Sequence, residues 1–459
     1  MYLTKLSLKN VKMIRELECS FADGDAPRPF TLFVGENGMC KTTLLRAIAL
    51  AAVGQTGANQ LTSAGSFPDR RSLSECRITA TFLPTHGGGA SPELAYTGPG
   101  EHAPRPVESH LWTGLSWKVF VGSSGYLPPA PSGVPNSVPS LQPIEMIRGR
   151  DLPRWFVAGY GTSRALPLSD DVRSDREGSS LRSIARLRSL FGNDALIATG
   201  FADVLARLSG DELSRAFART LRDVLIGDAA QDLPGIFPHG DDVISVTGVE
   251  LRGRGGVRSS RDLVDMERFE LGSGPTSFKV PASWLSQGFQ ATIAWVADMI
   301  GQVFLDVGAP VAPRDIEGLV LIDEIDLHLH PRWQAMLVPA LKKTFPRVQF
   351  VATTHSPMVL PGLRREEVLV LGLDEAGNVT VREAPVTPAL KTGSEIYEHF
   401  FGIRELYPSE LGSALQDYSF LANNPDRDDA EESRMLMLRK KLRDNDVDPG
   451  WEPEPRTAR

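Results

Sequence analysis

The stretch "GENGMCKTT", residues 35–43, constrains this chain more than any other feature. An apolar run, "PFTLFVG", leads into it. After it, "TTLLRAIALAAVG" places Leu44, Leu45, Ile48 and Ala52 at helical spacing and predicts a helix that stops at Gly54. Strand, glycine loop, helix is the setting in which a backbone wraps a phosphate, because the helix start presents unpaired N–H groups and a positive dipole end to the anion. The pattern for such a loop is G-x-x-x-x-G-K-[ST]. Gly35, Lys41 and Thr42 fall on it, but Cys40 stands where the second glycine belongs. A side chain there costs on the order of 1 kcal/mol if φ is positive and less if φ is negative. Gly38 is still present, so we read a working loop that carries a tolerated variant.

Three further motifs follow in order. "WLSQGFQATIAWVADMI", 284–300, predicts a helix that Ser286 can cap, with Gly288 letting an anion approach its backbone. "GLVLIDEIDLHLHP", 318–331, is an apolar strand tipped by Asp323 and Glu324, carboxylates of the kind that hold magnesium and a water in phosphate-loop enzymes. "VQFVATTHSP", 348–357, is a β-branched strand ending in Thr353, Thr354 and His355, and places that histidine to sense a terminal phosphate. Each motif alone has a bland explanation. Their joint order matches one catalytic layout.

Composition removes other classes. No run of eighteen apolar residues occurs, and "MYLTKLSLKN" alternates instead of forming a leader, so a soluble cytoplasmic chain without membrane contact is expected. Cys19, Cys40 and Cys76 lack paired spacing, which excludes a disulfide framework or cysteine zinc site. A net charge of −8 argues against a surface that coats nucleic acid throughout. Elsewhere, "LTKLSLKNVKMIRELECSF" reads as a half-buried strand, residues 54–150 as short strands with long Gly/Pro/Ser loops, and "RWFVAGYGTSRALP" as a buried strand with a glycine turn. Residues 180–228 read as a helical insertion. Leu181, Ile184, Leu187 and Phe191 share one face, and a capping box at Ser209 and Glu212 opens a helix striped by Leu213, Phe217, Leu221 and Leu225. Residues 240–281 read as hairpins, "EVLVLGLDEAGNVTV" as a hairpin turning at Ala376-Gly377, and the charged C-terminus as a solvated tail around one short helix.

Together "GENGMCKTTLLRAIALAA", "GYGTSRAL", "LSQGFQ", "LIDEIDLHLHP", "ATTHSP" and the tail segment "PALKTGSEIYEHFFGI" resemble the ABC-type ATPase head of the SMC, RecF and overcoming-lysogenization-defect families. More narrowly they are similar to the AAA-family ATPases of anti-phage defence systems such as Septu, PARIS and certain retrons. The motifs bracket residues 1 to about 405. The resemblance implies an α/β fold: a phosphate-loop mixed sheet with helices, an antiparallel β subdomain and a helical insertion. It implies ATP and Mg²⁺ as ligands. Backbone amides of Asn37, Gly38, Met39, Cys40, Lys41, Thr42 and Thr43 would cradle the phosphates. Lys41 would contact the β- and γ-phosphates, Thr42 and Asp323 would hold Mg²⁺, Glu324 would activate water, and His355 would contact the γ-phosphate. Ser286 and Gly288 would serve the ATP of a second subunit, so the active unit is a homodimer or higher oligomer with ATP at the head interface. Asp326 would link the two sites.

The expected layout is an N-terminal ATPase lobe over 1–175, the insertion over 176–235, the signature motif and second half of the core over 236–365, and a hairpin, short helices and charged tail over 366–459. No nuclease motif occurs: "EVLVLGLDEAGNVTV" lacks the Asp-x-Asp a TOPRIM domain needs. The function expected is a nucleotide-gated switch that controls a separate effector, a nuclease, in response to DNA or a phage-derived trigger. The alternative is a RecF- or SMC-like DNA-maintenance ATPase gripping duplex through Arg182, Arg186 and Arg188 or Arg252, Arg254, Arg258 and Arg261. No heptads persist for a coiled coil. Ser286 follows Lys41 by more than half the chain, too far for the nucleotide-binding subunit of a membrane transporter.

Overall fold

Strand Phe30–Val34, which feeds the glycine loop, is buried at every residue, and so are Gly318–Ile322, Val348–Thr354 and Val157–Tyr160. Continuous apolar runs of this kind belong in a parallel sheet covered on both faces. The computed structural model describes residues 1–24, 26–71, 74–84, 106–114, 117–127, 144, 155–164, 184–192, 211–237, 246–250, 268–271, 277–391, 393–401 and 409–447. The Ser209 cap, "RGRGGVRSSRD", Arg182, Arg252, Arg254, Arg258 and Arg261 lie outside the described residues.

In chain order the strands are Tyr2–Val11 (β1), Ile14–Ser20 (β2), Ala22–Asp23 (β3), Ala26–Pro27 (β4), Phe30–Val34 (β5), Cys76–Leu83 (β6), Val107–Thr113 (β7), Val121–Tyr126 (β8), Val157–Tyr160 (β9), Val246–Glu250 (β10), Arg268–Leu271 (β11), Phe278–Val280 (β12), Gly318–Ile322 (β13), Val348–Thr354 (β14), Val368–Leu373 (β15) and Val379–Glu383 (β16). The helices are Lys41–Leu61 (α1), Asp211–Ile226 (α2), Gln287–Val307 (α3), Pro331–Thr344 (α4), Gly393–Phe401 (α5), Ser409–Ala422 (α6) and Asp429–Arg443 (α7).

The core sheet runs β16-β15-β5-β14-β13-β9, parallel except for β16. A second sheet, β2-β1-β6-β7-β8, is antiparallel throughout. β10, β11 and β12 form a small antiparallel sheet. One apolar core fills the space between the two large sheets, with Leu44, Leu45, Ile48 and Ala52 of α1 meeting Leu6 and Leu8 of β1, Ile78 and Phe82 of β6, and Leu319 and Leu321 of β13. This is the phosphate-loop mixed sheet with helices and an antiparallel β subdomain that the sequence resemblance implies.

Four details depart from the sequence reading. The N-terminal stretch is a hairpin, not one strand: it turns at Lys12-Met13 between Val11 and Ile14, with Lys12 at φ 50° and no glycine to announce the turn. α1 breaks at Gly54, where φ is 70°, and helical turns then resume to Leu61. The described part of "SLRSIARLRSLF" makes short turns that bury Ile184, Leu187 and Leu190. Arg186 is buried too, ion-paired to Asp306 at 2.5 Å and stacked 5.0 Å from the Phe156 ring, which takes it off any DNA-facing surface. The stripe of α2 does face inward at Phe217, Leu221 and Leu225, and Phe217 meets Phe304 of α3 edge to face.

By contact the chain separates into two compact units, Met1–Lys391 and Thr392–Arg459. In the second unit, an Asp428–Glu431 capping box opens α7, and Met435 and Leu442 are buried in a small cluster with Tyr418 and Leu421 of α6. So this part of the charged C-terminus is a packed helix pair and not a solvated tail. Met435, Leu438 and Leu442, at helical spacing, seat one face of α7. No described helix is long and apolar enough to cross a membrane.

Candidate active site

The carboxyl ends of β5, β14, β13 and β9 are adjacent in the sheet, and each opens into one of the motifs. A crevice at the carboxyl edge of parallel strands is where α/β folds place their ligands. From β5 the chain enters the glycine loop at Gly35. A Cβ on that residue would lie 3.0 Å from the carbonyl oxygen of Leu371 in β15, so close packing explains this glycine. Gly38 has φ 85° and open space around it, and backbone conformation explains that one. Cys40 takes the N-cap position of α1 at φ 58° and makes no side-chain cap.

Lys41 is buried, and its Nζ donates to the carbonyls of Gly35 (2.7 Å) and Glu36 (2.8 Å) and sits 3.5 Å from Nδ1 of His355. Burial pulls the ammonium down to about 8, against the raising influence of Asp323, Glu324, Asp326 and Glu36. His355 is also shifted below its usual range, first by burial and then by Lys41, which favours the neutral imidazole that can accept from that ammonium.

Thr42 donates through Oγ1 to Oδ2 of Asp323 at 2.8 Å, which closes the loop onto β13. The other carboxylate oxygen accepts from Thr353 Oγ1 at 2.7 Å. Thr353 is the partner Asp323 would meet if the β13–β14 register, which pairs Ile322 with Ala352, ran one residue further. Its hydroxyl also accepts from the Glu324 N–H at 2.7 Å. One buried threonine thus orients both acidic residues. It was readable only as the end of an apolar strand, because its partners lie across the sheet. In the same way Thr354 donates to Asp326 at 2.5 Å.

Glu324 has φ 47° and His328 has φ 63°, so the loop after β13 holds two non-glycine residues in the left-handed region. Such conformations persist only where surrounding contacts over-determine them. One of those contacts is Arg164, whose Nη2 donates to the Glu324 carbonyl at 2.5 Å.

The start of α3 lies against this loop: a Cβ on Gly288 would sit 2.5 Å from the carbonyl oxygen of His328. Packing on its own chain therefore accounts for Gly288. Ser286 occupies the N-cap position, is exposed, and makes no side-chain capping bond. The structure brings Lys41, Thr42, Asp323, Glu324 and His355 together, with Ser286 outside that network of hydrogen bonds.

The donor set suits Mg²⁺. Among the described residues no three His, Cys, Asp or Glu side chains cluster to hold a metal. Mg²⁺ needs no such cage, since it keeps several waters and takes one or two protein oxygens plus substrate phosphates. Thr42 Oγ1 and Asp323, already 2.8 Å apart, are such a pair.

The segment 184–192 is fastened to this edge of the sheet. Gly159 N–H donates to Arg186 O (2.9 Å), Ser189 Oγ donates to Gly159 O (2.7 Å), and Arg46 of α1 donates to Leu190 O (2.5 Å). A Cβ on Gly161 would fall 2.0 Å from the carbonyl oxygen of Ser189. Sequence reading placed this segment in the insertion but gave no sign that it touches α1.

Residues 162–360 match the family described as "AAA domain, putative AbiEii toxin, Type IV TA system", and residues 5–81 match an AAA domain. The chain is 24% identical over 443 residues to the Septu protein PtuA of Bacillus mycoides (strain KBAB4), covering 96% of this chain and 50% of that protein. It is 37% identical over 138 residues to "Retron Ec83 probable ATPase" of Escherichia coli, covering 30% of this chain and 24% of that one. The chain therefore spans about half the length of the curated relative it matches throughout. Among solved structures, the SMC head domain from Thermotoga maritima aligns at a TM-score of 0.41 and 14% identity over 84% of this chain and 100% of that one.

Proposed function

We propose that this chain, an ABC-type AAA-domain ATPase similar to the Septu and retron ATPases, binds and hydrolyses ATP as a dimeric switch over a separate effector in anti-phage defence. The observation that carries the reading is the convergence of Lys41, Thr42, Asp323, Glu324 and His355 on the carboxyl edge of adjacent parallel strands.

The amides of residues 37–43 cradle the phosphates, and the start of α1 adds its dipole. The Lys41 ammonium, now spent on its own loop carbonyls, turns to the β- and γ-phosphate oxygens. Thr42 and Asp323 would hold Mg²⁺, which would supply positive charge against the phosphate oxygens. Glu324 takes the proton of the attacking water as the new O–P bond forms and the bond to the bridging oxygen breaks, releasing ADP. Neutral His355 donates to a γ-phosphate oxygen. Ser286, outside this network, serves the ATP of a partner head.

The insertion supports a switch. Its segment 184–192 bonds to α1 through Arg46, to the end of β9 through Gly159, and to α3 through Arg186 and Asp306. The first two contacts lie beside the glycine loop and the GYGTSR turn, and the third grips α3 at the end opposite its signature motif, which supports coupling of the segment to all three elements. The effector is a nuclease in trans, the trigger a DNA or phage product, and the compartment the cytoplasm.

The test is Mg-ATP turnover by purified wild type beside Lys41→Ala and Glu324→Gln. Each variant should lose about 10²-fold or more in kcat, the range for removing a general base or a key charge stabiliser. Full turnover in Glu324→Gln would refute the assigned mechanism. Salt-dependent duplex binding by the isolated protein would shift support to the DNA-maintenance alternative.

A further inference from the structure

Glu324 is held at φ 47°. The left-handed region is costly for a residue with a side chain, so something must hold it there. Among the described residues three hydrogen bonds do so. The Glu324 N–H donates to Thr353, and its carbonyl accepts from Arg164 and from the Leu327 N–H.

The second anchor is an unusual choice. Arg164 is only 5% exposed, and its Nε and Nη1 are buried without hydrogen-bond partners. Burial draws the guanidinium down to about 10, although Asp323, Asp326 and Glu324 all raise it. A buried cation with orphaned donors is destabilising, and an apolar side chain of similar volume is often as good or better for folding. Among the described residues, the bond Arg164 makes falls on the backbone of the residue proposed as the base.

The geometry points to Arg164 as a positioning residue that clamps the Glu324 carbonyl, keeping the strained backbone, and so the direction of the carboxylate, in place for water activation. This rests on the ATPase reading above. The direction of a Cβ follows from φ and ψ. Without the guanidinium the Glu324 carbonyl keeps only the bond from Leu327 within its own turn, and the peptide after Glu324, still tethered through the Ile325 N–H to Thr353, can tilt and redirect the carboxylate. Nucleotide binding, which depends on the glycine loop, Lys41 and Thr42, is left alone.

The experiment compares wild type, Arg164→Met, Arg164→Lys, Glu324→Gln and the Glu324→Gln/Arg164→Met double variant. Turnover is read by single-turnover ATP hydrolysis and affinity by titration with the slowly hydrolysed analogue ATPγS. Arg164→Met should lower kcat about 10²-fold, as misplacement by about 1 Å does, with ATPγS affinity within about twofold of wild type. Arg164→Lys, which keeps one cationic donor, should recover about tenfold of that loss. On the Glu324→Gln background Arg164→Met should change nothing further, because it acts through that carboxylate. Three results overturn the proposal: unchanged kcat in Arg164→Met, affinity falling in step with kcat, or a full additional loss on the Glu324→Gln background. If Arg164→Met does not fold, Arg164→Lys on both backgrounds decides by the same criteria. A wild type that binds ATPγS without turning ATP over overturns the ATPase reading, and this proposal with it. That outcome is distinct from an active wild type indifferent to Arg164.

Discussion

Cys40 stands at φ 58° and ψ 20°, the conformation for which the phosphate-loop pattern reserves glycine. The thiol side chain is half-buried against the core beside α1, so its packing offsets part of the conformational cost. Glycine would relieve the strain but lose that contact and loosen the unfolded chain. The opposing terms are each about 1 kcal/mol, so Cys40→Gly should leave stability within about 1 kcal/mol of wild type. A β-branched side chain tolerates positive φ far worse. Cys40→Val should therefore destabilise by about 2 kcal/mol. Urea denaturation of the two variants checks this, and equal shifts would show that φ is not what the position selects. At this scale the sequence announced the phosphate-loop residues, Asp323, Glu324 and His355, since their types and order are the motif. It was silent about Thr353 holding Asp323 and Glu324, because that contact is made across two strands.

The same silence has a structural cost one level up, in strand β14. All seven of its residues are buried, including Gln349. That side chain accepts from the Leu3 N–H (2.6 Å) and donates to the carbonyls of Leu3 (2.9 Å) and Arg28 (3.0 Å). It therefore sews β14 of the core sheet to β1 of the antiparallel sheet, 346 residues away in sequence. A glutamine inside "VQFVATT" only interrupts an apolar run when read by periodicity, and its partner on β1 has no sequence signature. The strands themselves were legible, and so was the β15–β16 hairpin turning at Gly377, where φ is 73°. The Lys12-Met13 turn was not, for want of a glycine or asparagine. Gln349→Leu keeps the volume but strands three buried backbone groups, each worth about 1–3 kcal/mol when unpaired. Some of them will recover water, so a net loss of about 3 kcal/mol is expected, large beside a typical 5–15 kcal/mol of total stability. The urea midpoint should fall with the slope unchanged. A loss under about 0.5 kcal/mol would mean the two sheets are joined by apolar contact alone.

Across the whole molecule, the assignment of Ser286 to a second subunit has the largest consequence. Its hydroxyl caps nothing and is exposed at the start of a 21-residue helix, while Lys41, Thr42 and Asp323 complete their own hydrogen bonds without it. Gly288 is occupied by packing on His328. A side chain without a capping bond among the described residues, set beside the loop after β13, suits the proposed two-fold assembly, in which each head's signature helix would meet the other's nucleotide. Blocking hydrolysis should then trap that assembly. Glu324→Gln with Mg-ATP should double in mass by light scattering. Adding Ser286→Arg, which places a bulky charge at the contact, should keep the protein monomeric while ATP affinity per chain stays within about twofold. The pair of readouts separates the two possible roles of Ser286. If the double variant loses ATP affinity as well, Ser286 serves its own phosphate loop. If it still dimerises on ATP, the head interface lies elsewhere, and the link from segment 184–192 to an effector must be sought on a different face.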